Sequence, residues 1–179
     1  MSRAALILSL LVLLPACDRS KIDEAKWKEA GAQAVLPFKK SLKQALVAGL
    51  EDGPVAAVSA CRVEAPQLAA AQSIGAIKVG RASQKLRNPS NAAKLWMQPF
   101  LQVYETDPER RVPGVVLIDK KTVGYVEPIF VQPLCVTCHG AELAPDLQAK
   151  VNELYPDDQA TGYAAGDLRG VFWAELPRD

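Results

Sequence analysis

Cys135-Val136-Thr137-Cys138-His139 is the stretch that decides how this chain is read. Cys-x-x-Cys-His is the spacing at which two thiols add across the two vinyl groups of a porphyrin, with the next residue held beneath the iron as proximal ligand. His139 is the only histidine of the 179 residues, so one covalently attached haem c is the expectation. Three other readings compete. A zinc site wants four ligands. There is no second Cys-x-x-Cys pair, and a set completed by Cys61 would need the neighbours Cys138 and His139 to converge on one ion. A thioredoxin-like dithiol wants its pair at the start of a helix in a strand-helix-strand unit; Pro128 and Pro133 instead mark an irregular approach. A plain disulfide remains open in an exported chain.

The N-terminus supplies the argument for export. Arg3 and the apolar run over residues 4–14 lead into Leu14-Pro15-Ala16-Cys17, the layout of a lipoprotein signal in which Cys17 is lipidated. An ordinary signal peptide with an incidental cysteine is the alternative. The apolar run is too short for a good membrane-spanning helix. Residues 1–16 are therefore read as a signal peptide, 17–23 as a lipidated tether and 24–179 as the haem-binding domain. Haem c is attached outside the cytoplasm in bacteria, so the two motifs agree on the periplasmic side of a membrane. Asp18 resembles an inner-membrane retention signal, which applies where the host sorts lipoproteins that way.

Two cysteines for haem and one for lipid leave Cys61. With His139 used, the sixth position on the iron falls to Cys61, to Met97, to a lysine, to a small molecule or to nothing; Met97 is the only methionine beyond the signal peptide. Cys61 lies in a predicted helix, with Asp52 placed to cap it and Pro54 suited to its first turn. Val58, Cys61, Ala65 and Leu68 recur at three- and four-residue steps and turn Cys61 to the buried face. A buried free cysteine is most often a small hydrophobe, so composition leaves Cys61 and Met97 both open.

Removal of residues 1–16 takes away Arg3 and brings the formal net charge from +1 to zero. A neutral chain without a basic run gives no support for nucleic-acid binding. The remaining length suits one domain able to enclose a porphyrin. Helical periodicity runs over residues 24–50, where Pro37 is expected to kink or divide it, and again through Cys61 to a bend or end near Pro66. A strand over 76–82, a turn at 87–91 and a helix over 92–104 follow. Strands at 115–119 and 123–131 form a hairpin across Lys120-Lys121-Thr122; a helix over 144–154 and a strand over 169–176 close the chain. Helices outside an antiparallel sheet make an α+β domain.

Five segments in order carry a family resemblance: residues 56–61 ending in Cys61, Val79-Gly80-Arg81-Ala82-Ser83, residues 85–91, residues 135–140, and residues 155–170 from Tyr155 through Tyr163 and Gly166 to Arg169-Gly170. Together they resemble the c-type haem-binding PAS-like domain family, found as free single-haem proteins and as periplasmic sensor modules. The resemblance spans roughly residues 36–176. It implies a PAS-like antiparallel sheet with N-terminal helices flanking the haem, and iron held by His139 and by Cys61 as distal ligand.

Arg87 is a candidate for a haem propionate, since a guanidinium grips a carboxylate with two prongs; a surface arginine beside a turn is the alternative. Tyr163 and Arg169 flank a glycine-rich loop that either closes over the haem edge or serves only tight turns. Trp96, Phe100, Phe172 and Trp173 read as core. No acid-base pair or nucleophilic triad is apparent, so an enzyme is not expected. Two functions follow: one-electron transfer with a redox partner protein, or a redox or diatomic-gas sensor that exchanges the Cys61 ligand and addresses a signalling protein.

Overall fold

The structure is a computed structural model that describes residues 22–107 and 109–178; residues 1–16, read above as a signal peptide, and Cys17 and Asp18 lie outside the described residues. Helix α1 (Glu24–Glu51) starts where Asp23 accepts a hydrogen bond from the Lys26 amide at 3.1 Å. That cap satisfies one of the free N–H groups of the first turn. Val35, Phe38 and Leu42 recur at three- and four-residue steps and form its buried stripe. Pro37 does not divide the helix, although it deprives one turn of a hydrogen bond. Buried residues on both sides of it pin the two halves to the same core.

Helix α2 (Pro54–Gln72) follows after two residues and likewise runs through its internal Pro66 rather than ending there. Asp52 does not cap it: Asp52 ends α1, and Gly53 with φ 96° is the N-cap, without a side-chain bond. Glycine reaches that backbone region without the steric cost other residues meet. Pro54 occupies the first turn as expected.

Four strands, β1 (Lys78–Ala82), β2 (Gly114–Asp119), β3 (Thr122–Phe130) and β4 (Leu168–Pro177), make one antiparallel sheet in the order β1-β4-β3-β2. The β2-β3 hairpin is the one read from the sequence. Helix α3 (Gln98–Thr106) is shorter than expected, because Pro99 sits in its first turn and a 3₁₀ turn at Leu95–Met97 precedes it. A one-turn helix α4 (Val136–His139) and helix α5 (Pro145–Leu154) fill the crossover from β3 to β4. The fold is α+β. No helix among the described residues is long and apolar enough to cross a membrane.

Side chains alternate across the sheet, and here each face has its own core. Val79, Tyr125, Ala174 and Leu176 meet Val35, Phe38, Leu42 and Ala65 of the two long helices. Ala82, Val126 and Val171 on the other face meet Met97, Leu101 and Tyr104, with Trp96, Phe100 and Trp173 packed around them. Phe172 packs on the first face at 6.0 Å edge-on to Phe38. The four aromatics read as core are half-buried and pack against the two cores from their edges.

Close approach of α1 to the sheet depends on Gly31. A Cβ added there would lie 2.2 Å from Cγ of Tyr125, a ring that is fully buried and whose hydroxyl donates to Glu127 at 3.1 Å. Lys39 of α1 binds the same Glu127 carboxylate, so the ring cannot step aside freely. Gly31→Ala is expected to lose about 1–3 kcal/mol through overpacking, against the helix-propensity gain of about 1 kcal/mol that alanine ordinarily brings. Denaturant unfolding checks the sign: a more stable variant would mean that α1 rides over Tyr125 without contact.

Candidate functional site

Cys135 closes a 3₁₀ turn (Pro133–Cys135), and α4 then carries Val136, Thr137, Cys138 and His139 through one turn. Cys61, Cys135 and Cys138 are all free and partly covered. The Cys135 sulfur accepts from the Gln132 amide at 3.3 Å. No three His, Cys, Asp or Glu side chains among the described residues converge as a metal-binding group. The zinc reading thus lacks its ligand set, and the disulfide reading lacks its bond.

His139 is oriented by the segment before β4. Its Nδ1 lies 2.6 Å from the Ala160 carbonyl, its own carbonyl accepts from Tyr163 N at 2.9 Å, and Gly162 N donates to Gly140 O at 2.9 Å. Burial, with Arg169 and Arg87 nearby, pulls the imidazole down to about 3, so the ring is neutral at physiological pH. A neutral ring facing a carbonyl through Nδ1 carries its proton there, which leaves the Nε2 lone pair available to a metal. Tyr163 stands edge-on to the ring, with centroids 6.3 Å apart.

Opposite the motif stands α2, which contacts both α4 and α5. Val58 packs with Cys138, Leu143, Leu147, Val151 and Tyr155, one turn from Cys61. Val131, Ala160 and Tyr163 pack with Cys135 and Val136 on the other side. Burial pushes the Cys61 thiol up, while Arg81 and Arg87 pull it down. Burial also pushes Cys138 up, against the pull of Arg87, with Cys61 and Cys135 adding to the rise. Cys61 therefore shares one electrostatic environment with the motif. Met97 does not: it is fully buried on the far face of the sheet beside Leu101 and Val126.

Arg87 is neither a surface arginine nor an idle one. Its Nε and one terminal nitrogen donate to the two oxygens of Asp158 at 3.1 and 3.0 Å, and the terminal nitrogen also donates to the Cys138 carbonyl at 2.7 Å. The pair is buried, with side-chain exposures of 10% and 7%. The propionate expected of Arg87 finds these donors already committed to a brace beneath the motif. Asp158 in turn accepts from Ala160 N at 3.1 Å and so holds the carbonyl that orients His139. The glycine-rich loop does more than turn: it supports the motif from below.

Asp158, Ala160 and Arg81 were absent from the sequence-based candidates. Asp158 and Ala160 sit in the Asp-rich loop before Tyr163, and a backbone carbonyl leaves no trace in residue type. Arg81 lies within a resembling motif, on a strand with no chemical signature of its own. The donor set fits a haem c, with two free thiols bracketing one helical turn, a neutral imidazole with open Nε2, a third thiol across from them and apolar clusters on both sides. Asp158→Ala would leave Arg87 buried and uncompensated, and the expected loss is about 3–5 kcal/mol. Denaturant unfolding measures it; a loss below about 1 kcal/mol, the worth of an exposed pair, would mean that the brace carries no weight.

Comparison with protein families matches residues 22–177 to the Tll0287-like family. No curated protein matches the chain. Among solved structures, that of the cyanobacterial heme-protein Tll0287 aligns with a TM-score of 0.60 at 24% identity, covering 81% of this chain and 93% of that one. The structural likeness shows a shared fold, and it is consistent with the PAS-like family read from the five sequence motifs. With 156 consecutive residues inside the family match, the chain belongs to the Tll0287-like family.

Proposed function

We propose that the chain is an exported, membrane-anchored single-haem c-type cytochrome that works in one-electron transfer. The observation that carries this reading is His139, neutral and fixed through Nδ1 to the Ala160 carbonyl, directly after two free thiols and across from Cys61. The heme-protein description of the similar solved structure supports it. Cys135 and Cys138 hold the haem covalently, His139 is the proximal ligand and Cys61 the distal one. The haem supplies a site for one electron; the protein fixes its ligands and encloses it between α2 and the motif.

With both axial positions filled by protein, no place is left for a substrate, and a carrier is favoured over a catalyst. The partner is a redox protein, the anchor is lipid on Cys17, and the domain faces the periplasm, from the inner membrane if Asp18 retains it there. A sensor is the second reading. Its support is the position of Cys61 immediately before solvent-exposed Arg62, Val63 and Glu64, so that exchange of the sulfur would be felt on a surface a signalling partner can read.

Expression with the signal peptide in a host that matures cytochromes c, followed by a denaturing gel and a haem-peroxidase stain, tests the covalent bond. A stained band is expected, and it disappears in a Cys135→Ala, Cys138→Ala chain. A blank lane from well-expressed protein overturns the reading. An anionic sulfur donor favours the ferric state, so Cys61→Ala is expected to move the midpoint potential upward. Potentiometric titration with no shift would remove Cys61 from the iron.

A further inference from the structure

We infer that Arg81 binds a propionate carboxylate of the haem, a role that rests on the haem-binding reading above. Alternation along β1 puts Arg81 on the same face as Val79, the face covered by α1 and α2, while Gly80 and Ala82 face the opposite core. Val79 belongs to one cluster with Ala65 of α2. From Val79 to Arg81 the strand advances about 6.6 Å; from Ala65 back to Cys61 the helix covers about 6 Å. The short connection of residues 73–77 returns the chain along α2, so the two steps run side by side and bring Arg81 to the level of Cys61. The electrostatics agree: after burial, the largest influence on Cys61 comes from Arg81 and the largest on Arg81 from Cys61, and Arg81 also feels Arg169 and Tyr155.

Three guanidinium groups surround the site, and two are spoken for. Arg87 grips Asp158 and the Cys138 carbonyl. Arg169 donates to Ser83 Oγ at 2.7 Å and to the Lys85 carbonyl at 3.2 Å. Among the described residues no carboxylate, carbonyl or hydroxyl accepts from the Arg81 guanidinium. Its nitrogens are not sealed in, since no enclosed side-chain nitrogen or oxygen lacks a partner. They therefore keep accessible surface and can take an acceptor from outside the chain. A half-buried cation without an anion is only partly solvated and gains from a counter-ion, and a planar fork of donors matches the two oxygens of a carboxylate better than a single sulfur atom. Haem brings two carboxylates. Arg81 is the side chain of the three whose donors are all left to receive one.

The test uses the full chain with Cys135→Ala and Cys138→Ala, so that haem is held by coordination and pocket contacts alone and its affinity can be measured. Ferric haem and its dimethyl ester, which lacks free carboxylates, are titrated and followed by the Soret band. Haem is expected to bind about tenfold more tightly than the ester, the size of one charge-assisted hydrogen bond. Adding Arg81→Gln removes that preference while leaving ester binding unchanged, and Arg81→Lys keeps part of it. A preference that survives Arg81→Gln, or one absent from the parent, overturns the assignment of Arg81 and leaves the haem reading intact. A matching loss of ester binding overturns it too, since Arg81 would then act on the pocket's shape. Failure of both porphyrins to bind the parent overturns the haem reading itself.

Discussion

A helix of four residues cannot hold its own shape, and everything at this site depends on what holds α4 in place. Nucleating a turn fixes several dihedral angles for a single hydrogen bond, so an isolated turn is unfavourable in water. The support comes from outside. Ala160, Gly162 and Tyr163 engage His139 and Gly140 from below, and Arg87 reaches across from the residues after β1 to the Cys138 carbonyl. Because Asp158 binds both Arg87 and the Ala160 amide, the two supports are one network. The five-residue motif names the chemistry, and residues 155–167 fix its geometry.

The sheet settles which sulfur stands near that geometry. Its two faces carry separate cores, and the strands' alternation assigns every neighbour to one or the other. Met97 enters on the face covered by α3; Cys61 rides on α2, which spans both the other face and the motif. The period of the strand thus puts Met97 and Cys61 on opposite faces of the sheet. The same alternation turns Arg81 toward α2 and its neighbours Gly80 and Ala82 away.

Elements with strong periodicity or turn chemistry were legible in the sequence: both long helices, the β2-β3 hairpin, α5 and β4 appear close to where the pattern placed them. Errors gathered where tertiary packing overrides local preference. Pro37 was expected to kink or divide its helix and Pro66 to end or bend its own, yet each helix continues through its proline with buried contacts on either side. Asp52 looked like a cap, but the chain turns one residue later, at a glycine with positive φ. At the site, cysteines and the single histidine announced themselves by type and spacing. Asp158 pairs with Arg87 across 71 residues, and a partnership at that separation has no local signature.

Charge is distributed unevenly in a chain whose formal net count is +1. Arg81, Arg87 and Arg169 stand around the motif with Asp158 as the buried counter-ion described among them. Burial pulls the Arg81 and Arg169 guanidiniums below their usual basicity, the cost of holding cations in poorly solvated surroundings. With the proposed ligands in place, these cations and the Cys61 sulfur pull in opposite directions: an anionic donor favours the ferric state, whereas fixed positive charges favour the added electron. Carboxylates arriving with the cofactor would offset part of that positive field. The working potential of such a site is then a balance between one sulfur and three guanidiniums, set by how much of their charge the bound group neutralises.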